Sequence, residues 1–310
     1  MQSCADPGTL EGLSWLACYL ATPKHQQFYF SFLIVLALIF VTAPVVLLLG
    51  FAGAFARRSR FLIPQLVGRA YTSMVRGVPD IVFFLFVPIA IDQVLEYGRH
   101  KILCPEVTEP VYRGNDFVVC TAAKLPLNSS PQWIHETYGF ILAIIAFALV
   151  FGAFAASTID GALNSVPRAQ LETARAYGMS ERQVLRRIHL PQMWVYALPG
   201  LSNLWMILVK ATPLLFLLGI EDIVYWAREL GSSKTSFFDY PHPDWRLWYF
   251  GALLVFYLVL TWFSEKAFAA LTRIVSRGQP TAGGRSAGGG AGPARAAPPL
   301  PGMGQGIGAT

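Results

Sequence analysis

Residues 172–191 read Glu172-Thr173-Ala174-Arg175-Ala176-Tyr177-Gly178-Met179-Ser180-Glu181-Arg182-Gln183-Val184-Leu185-Arg186-Arg187-Ile188-His189-Leu190-Pro191. From Arg168 to Tyr177 the chain is rich in good helix formers, Ala169, Gln170, Leu171, Glu172 and Ala174 among them. Pro167 suits a first helical turn, where its missing N–H costs nothing. Gly178 can take the left-handed conformation that closes a helix. Ser180 followed three residues later by Gln183 predicts a capping box that opens a second helix. That helix should pass through Val184, Leu185 and Ile188 and end near Pro191. The segment therefore reads as helix, glycine turn, helix, and it is strongly charged. A charged helical hairpin between two long apolar stretches has little reason to exist unless something docks on it. Leu171, Ala174 and Met179 could fill a groove on a partner, and Arg182, Arg186 and Arg187 could face acidic groups or lipid headgroups. The competing reading is an ordinary loop whose arginines only set topology.

The flanking stretches fix the class. Hydrophobic residues make up 54% of the chain and charged residues 14%, against roughly 25% charged in soluble domains. Mean hydropathy is +0.47. This is the composition of a membrane protein, whose apolar residues lie in spans. A span needs about 20 mostly apolar residues. Residues 28–56 carry no charge and predict span one, with Pro44 as a kink that neighbouring helices can tolerate. Residues 61–96 predict a membrane-proximal helix that becomes span two near Gly77-Val78-Pro79. Spans three, four and five are expected over Thr137–Ile159, about Val195–Ile220 and Leu247–Ser264. Pro199, Gly200, Lys210 and Pro213 interrupt the fourth. Trp245, Trp248, Tyr249 and Trp262 look like interfacial anchors of the fifth.

Arg57, Arg58 and Arg60 follow span one at once, and five more arginines lie between spans three and four. By the positive-inside rule these ends are cytoplasmic, so the N-terminus is outside and the C-terminus inside. The net charge of +6 is evidence of topology; no Lys/Arg-rich block points to nucleic acid. Residues 1–27 carry Asp6, Glu11 and Lys24 and lack the basic start and short apolar core of a cleavable signal. They form an extracytoplasmic N-terminal segment ahead of a transmembrane domain over 28–274. Within that domain the cytoplasmic segment is 160–191. Residues 275–310 are rich in Gly, Ala and Pro, cannot bury a core and should be a disordered cytoplasmic tail.

The spacing E-T-A-x3-G-x9-I-x-L-P in residues 172–191 resembles the EAA loop of bacterial ABC-importer permeases, E-A-A-x3-G-x9-I-x-L-P. Thr173 replaces the family's alanine, and every other fixed position matches. In that family the loop meets the ATPase subunit, so the resemblance assigns coupling to Glu172, Thr173, Ala174, Gly178, Ile188, Leu190 and Pro191. It implies an all-α membrane protein of about five transmembrane helices, with the type I importer fold, in the bacterial inner membrane. Its partners would be ABC ATPase subunits, a second permease subunit (in a homo- or heterodimer) and a periplasmic solute-binding protein. ATP and Mg would sit on the ATPase; this chain would need no cofactor. A periplasm permits disulfides. Cys4, Cys18, Cys104 and Cys120 all fall in segments placed outside, and Cys104–Cys120 can bridge the 97–136 loop, the alternative being free thiols. No Cys/His spacing suggests a metal.

Two further segments resemble the polar amino-acid uptake branch. Tyr71 to Pro79 reads Y-T-S-M-V-R-G-V-P, like Y-x-x-x-x-R-G-T-P, with Val78 for threonine. Leu198-Pro199-Gly200-Leu201-Ser202-Asn203 is similar to L-P-A-L-x-N, and Lys210-Ala211-Thr212-Pro213-Leu214 to K-D-T-S-L. Ser157 stands where that branch commonly has glutamate and Asp160 where it commonly has arginine. An ionisable group within the membrane is a functional candidate because an unpaired charge there is costly. Asp80 and Lys210 are such groups; with Ser157, Asp160 and Asn203 they are the candidates for a substrate path. Each could equally be structural, Asn203 by holding helices together. The chain lacks Gly-x-x-x-x-Gly-Lys-[Ser/Thr]: Gly231-Ser232-Ser233-Lys234-Thr235 has no second glycine. It also lacks the common catalytic constellations. The expected function is therefore the permease of an ATP-driven importer for polar amino acids or a derivative such as an opine, and no enzyme. The alternative is a secondary transporter or a membrane-bound enzyme. A secondary carrier would be expected to show repeated halves, and no repeat is visible.

Overall fold

The computed structural model describes residues 11–108, 119–127, 129–218 and 220–277. In chain order the helices are α1 (Gly12–Leu20), α2 (Pro23–Arg57), α3 (Leu62–Gly77), α4 (Asp80–Leu103), α5 (Gln132–Ser165), α6 (Arg168–Ala176), α7 (Glu181–Val184), α8 (Leu190–Ala211), α9 (Ile223–Gly231) and α10 (Arg246–Val275). A π-turn over Leu185–His189 joins α7 to α8, and a 3-10 turn over Thr212–Leu218 follows α8. Among the described residues five helical stretches are long and apolar enough to cross a membrane: α2, α4, α5, the run Glu181–Leu215, and α10. From residue 278 the expected tail lies outside the described residues, as does Cys4.

The centre of the bundle is α5 against α2, and small residues make that contact possible. Ala143, Ala146, Ala153, Ala155 and Ala156 of α5 are fully enclosed, as are Leu38 and Ile39 of α2. At Gly50 a Cβ would lie 2.8 Å from Ala155 Cβ, at Gly53 2.8 Å from Ala156 Cβ, and at Gly152 2.8 Å from Leu49 Cβ. Lipid offers no hydrophobic drive between helices, so close van der Waals approach of small residues holds them together. Tyr71 of α3 locks the same seam: its hydroxyl donates to the Leu149 carbonyl, beside Gly152. This gives the tyrosine of the Y-T-S-M-V-R-G-V-P segment a packing role. On the other face of α5, Gly200 of α8 crosses Thr158, whose Cγ2 is 2.6 Å from where a Cβ would stand. A glycine in place of the family's alanine is what this crossing requires.

The break at Val78-Pro79 is where expected, with both residues extended, and it separates α3 from the spanning α4. Proline at 79 disfavours a helical Val78. Other expectations need correction. The helix after the glycine turn does not end near Pro191. Val184, Leu185 and Leu190 are all helical, and the Leu190 N–H reaches back five residues to the Leu185 carbonyl. This wider turn lets the chain pass Pro191, which has no N–H to give, into α8 without a break. Span four thus starts at the hairpin itself. Pro199 lies inside α8 without ending it; the 3-10 turn begins only at Thr212, next to Pro213. The first long helix begins at Pro23, ahead of Phe28, and the fifth continues to Val275.

Trp245 and Tyr249 are not simple interfacial anchors. Trp245 stacks on His242 and packs on Trp15 and Tyr19 of α1. The Tyr249 hydroxyl lies 2.6 Å from His25 Nε2 and 3.3 Å from the Tyr19 hydroxyl. These rings dock α1 onto the ends of α2 and α10. Trp248 and Trp262 stay exposed. At the same end Cys104 and Cys120 are joined by a disulfide. The chain from Cys120 to Leu125 is fastened to α4: buried His100 Nδ1 accepts the Cys120 N–H (3.2 Å) and buried Glu96 accepts the Leu125 N–H (3.0 Å).

Asp222 caps α9, its Oδ1 accepting the Val224 and Tyr225 N–H groups at 3.1 and 2.9 Å. Its Oδ2 is buried with no partner among the described residues, and burial pushes the carboxyl up to about 6 from an ordinary 3.8. The folded protein therefore holds the proton more tightly than the unfolded chain does. This contribution to stability is greatest below about pH 4 and falls as pH rises through about 6, by on the order of 2–3 kcal/mol. Asp222→Asn keeps a capping oxygen without a charge to bury. Its apparent melting temperature in detergent should exceed that of the parent at pH 7.5, and the advantage should shrink to about a third at pH 4.5 and vanish near pH 3.

Candidate functional site

The hairpin of α6 and α7 is built as its sequence dictates. Gly178 has φ +80°. Its N–H donates to the Arg175 carbonyl (2.9 Å) and the Met179 N–H to the Ala174 carbonyl (3.2 Å). This pair of bonds is a Schellman close, which uses up carbonyls that a helix end otherwise leaves open. The next helix opens with the Ser180 N–H donating to Gln183 Oε1 at 2.8 Å, the return half of the capping box. Arg175 grips Glu181 across the turn with two bonds, Nε–Oε1 2.7 Å and Nη2–Oε2 3.1 Å. The pair raises the arginine and lowers the glutamate in pKa, but both are exposed and it serves mainly as a brace.

The faces of the hairpin divide differently from the sequence expectation. Ala174 and Val184 are buried, and Leu171 and Leu190 pack on the bundle core. Leu171 and Ala174 therefore hold the hairpin to its own protein and cannot fill a partner's groove. The reason is the helical period: residues 171 and 174 share one side of α6, which packs on α7 and the turn Leu185–His189. The outward face carries Glu172, Thr173, Arg182, Arg186 and Pro191, with Tyr177 at the tip, 86% exposed. Thr173 turns its hydroxyl back to the Ala169 carbonyl (2.8 Å). Ile188 and Leu190 are half-buried at the root, and His189 Nε2 lies 2.9 Å from the Leu163 carbonyl, tying the hairpin to α5. Tyr177 was missed by sequence reading; a tyrosine one residue before a closing glycine is the signal that could have found it.

The five path candidates do not bond to one another. Asp160 takes Arg58 Nε at 2.7 Å and Arg57 Nη2 at 3.4 Å. Ser157, one turn before it, donates to the Ala153 carbonyl and receives Arg76 at 3.5 Å. Asp80 starts α4, half-buried. Asn203 and Lys210 are exposed, two helical turns apart and so on one face of α8. At the opposite end of the bundle from the hairpin, a cavity of about 500 Å³ opens between α2, α5 and the start of α9. Phe30, Ile34, Phe140 and Trp226 line it, with His135, Glu136 and Glu221. Burial and the neighbouring Glu136 raise the Glu221 carboxyl.

Comparison with known proteins places this architecture. Residues 47–277 match the family described as binding-protein-dependent transport system inner membrane component. The histidine/lysine/arginine/ornithine transport system permease protein HisQ of Escherichia coli (strain K12) is 31% identical over 247 residues, covering 79% of this chain and 92% of that protein. The arginine ABC transporter permease protein ArtQ of the same strain is 29% identical over 198 residues, covering 64% and 73%. The crystal structure of an amino acid ABC transporter with histidines superposes with a TM-score of 0.56 at 20% identity, over 86% of this chain and 99% of that one. The helical bundle with its five candidate spans thus has the fold of an ABC-transporter permease, and the chain belongs to the binding-protein-dependent transport system inner membrane component family.

Proposed function

We propose that this chain is the permease subunit of an ATP-driven importer for polar amino acids in a bacterial inner membrane, energised by a separate ATPase docked on the hairpin. The observation that carries this reading is the hairpin itself. Gly178 closes it, Arg175–Glu181 braces it, and Glu172, Thr173 and Tyr177 are left on a face its own bundle does not cover. The similarity to HisQ and ArtQ, which are named for amino-acid transport, supports the substrate class. ATP and Mg belong to the partner ATPase. A second permease, identical or related, would complete the path. The polar face of α8 with Asn203 and Lys210 supports this, since such a face is costly against lipid. A periplasmic binding protein would deliver the ligand to the end opposite the hairpin.

The test is recovery of the chain from its native membrane in mild detergent, with mass spectrometry of what accompanies it. Expected are an ATPase subunit and a second permease. Liposomes holding that assembly should take up labelled arginine only with ATP inside, with unlabelled polar amino acids and opines as competitors ranking the substrate. A well-folded chain that emerges alone and moves arginine without ATP would overturn the proposal in favour of a secondary transporter.

A further inference from the structure

The last two turns of α5 carry two attachments, one to the hairpin and one to α2. On one side the Leu163 carbonyl meets His189 of the hairpin, and α6 begins only three residues after Ser165. On the other side Asp160 holds the end of α2. Arg58 gives its Nε to Asp160 Oδ1 at 2.7 Å, an Nη2 contact to the Asp160 carbonyl at 3.5 Å and another to Asn164 Oδ1. Arg57 gives Nη2 to Asp160 Oδ2 at 3.4 Å and Nη1 to Thr72 Oγ1 of α3 at 3.0 Å. One carboxylate therefore collects both arginines that end α2, and one of those arginines also fixes α3. The Asp160 side chain is only 16% exposed. A charged contact so shielded is screened less than a surface pair. The arginines also lie by the C-terminal end of α5, where helix carbonyls favour positive charge.

Farther along, glycines, alanines and aliphatic side chains bring α2 and α5 into close contact, Gly50 on Ala155, Gly53 on Ala156 and Gly152 on Leu49. Van der Waals contacts of this kind are close but non-directional. The Asp160 cluster supplies a directional, hydrogen-bonded link at the hairpin end.

We propose that Asp160 is a positioning residue that carries displacement of the hairpin from α5 to α2. Without it, the hairpin and α5 would move while α2 lags. The inference rests on the reading that an ATPase docks on the hairpin.

The experiment uses the intact assembly recovered from the native membrane, in nanodiscs. An environment-sensitive fluorophore is placed either on the hairpin at exposed Ala176 (Ala176→Cys), outside the assigned coupling residues, or on the exposed flank of α2 (Phe55→Cys). Mg-ATP with vanadate is then added. In the parent both probes should respond. In Asp160→Ala the hairpin response should persist while the α2 response falls about threefold or more, the size expected for loss of a contact within one ion-pair network. Asp160→Glu should keep the response, and the charge exchange Asp160→Arg with Arg58→Asp should restore it. A purely structural role would not spare the hairpin while silencing α2. An undiminished α2 response in Asp160→Ala, or a charge exchange that restores nothing, overturns the inference and leaves docking intact. A parent hairpin that ignores nucleotide defeats the docking reading, and this inference with it.

Discussion

Gly178→Val should release the ATPase and lower ATP-driven uptake about tenfold or more, with the chain still inserted at the parent level. No crowding is involved, because a Cβ at Gly178 meets no atom within 4 Å. The whole effect is conformational. The residue sits at φ +80°, a region that β-branched side chains avoid. Forcing valine there costs about 1–3 kcal/mol, which is about a five- to hundredfold shift away from the closed turn. The alternative backbone would break the Gly178–Arg175 and Met179–Ala174 bonds and pull Arg175 from Glu181. The outward face carrying Glu172, Thr173 and Tyr177 would then lose its fixed shape. Asparagine tolerates the left-handed region far better, so Gly178→Asn should retain most of the ATPase. Quantitative co-purification of both variants checks this. Equal ATPase recovery with valine and with glycine would mean that the turn does not set the docking surface.

Gly50→Leu should produce the opposite failure, loss of the folded chain from the membrane before any question of coupling arises. A Cβ there would stand 2.8 Å from Ala155 Cβ and 3.3 Å from the Ala155 backbone carbon, and only the Ile159 Cδ1 contact, at 3.2 Å, could relax by rotation. Four extra carbons in a packed seam put the cost at the upper end of about 1–3 kcal/mol or beyond. In a membrane the α2–α5 contact has no hydrophobic reserve to offset that. Gly251→Leu is the matched control: a Cβ there meets nothing within 4 Å on the exposed flank of α10. Fluorescence-detected size exclusion of both variants should show a collapsed peak for Gly50→Leu and a parent-like peak for Gly251→Leu. Ala155→Gly should partly rescue the milder Gly50→Ala.

Local chemistry explains why the hairpin could be read in advance. A helix start, a closing glycine and a capping pair are set by residues within one or two turns of each other. Pro167, Gly178, Ser180 and Gln183 therefore announced the elements that the structure contains. The run of uncharged residues from Phe28 to Ala56 did the same for α2, because bilayer thickness alone sets the length of such a segment. The end of the second hairpin helix was misread at Pro191. Whether a proline stops a helix depends on whether the turn before it can widen, and that depends on what supports the turn.

The amino-acid sequence by itself determined the membrane class, the number of spans, the break at Val78-Pro79 and the helix–glycine–helix hairpin. Each of these follows from short-range propensity or from the cost of charge in lipid. Only the tertiary structure decided which way the hairpin's residues face, turning Leu171 and Ala174 inward and Tyr177 outward. It alone paired Asp160 with Arg57 and Arg58, 102 residues from Arg58, and required glycine at positions 50, 53 and 200. Those outcomes depend on which helices meet and at what height. Helix period and span length leave that choice open until α2, α3, α5 and α8 pack against one another.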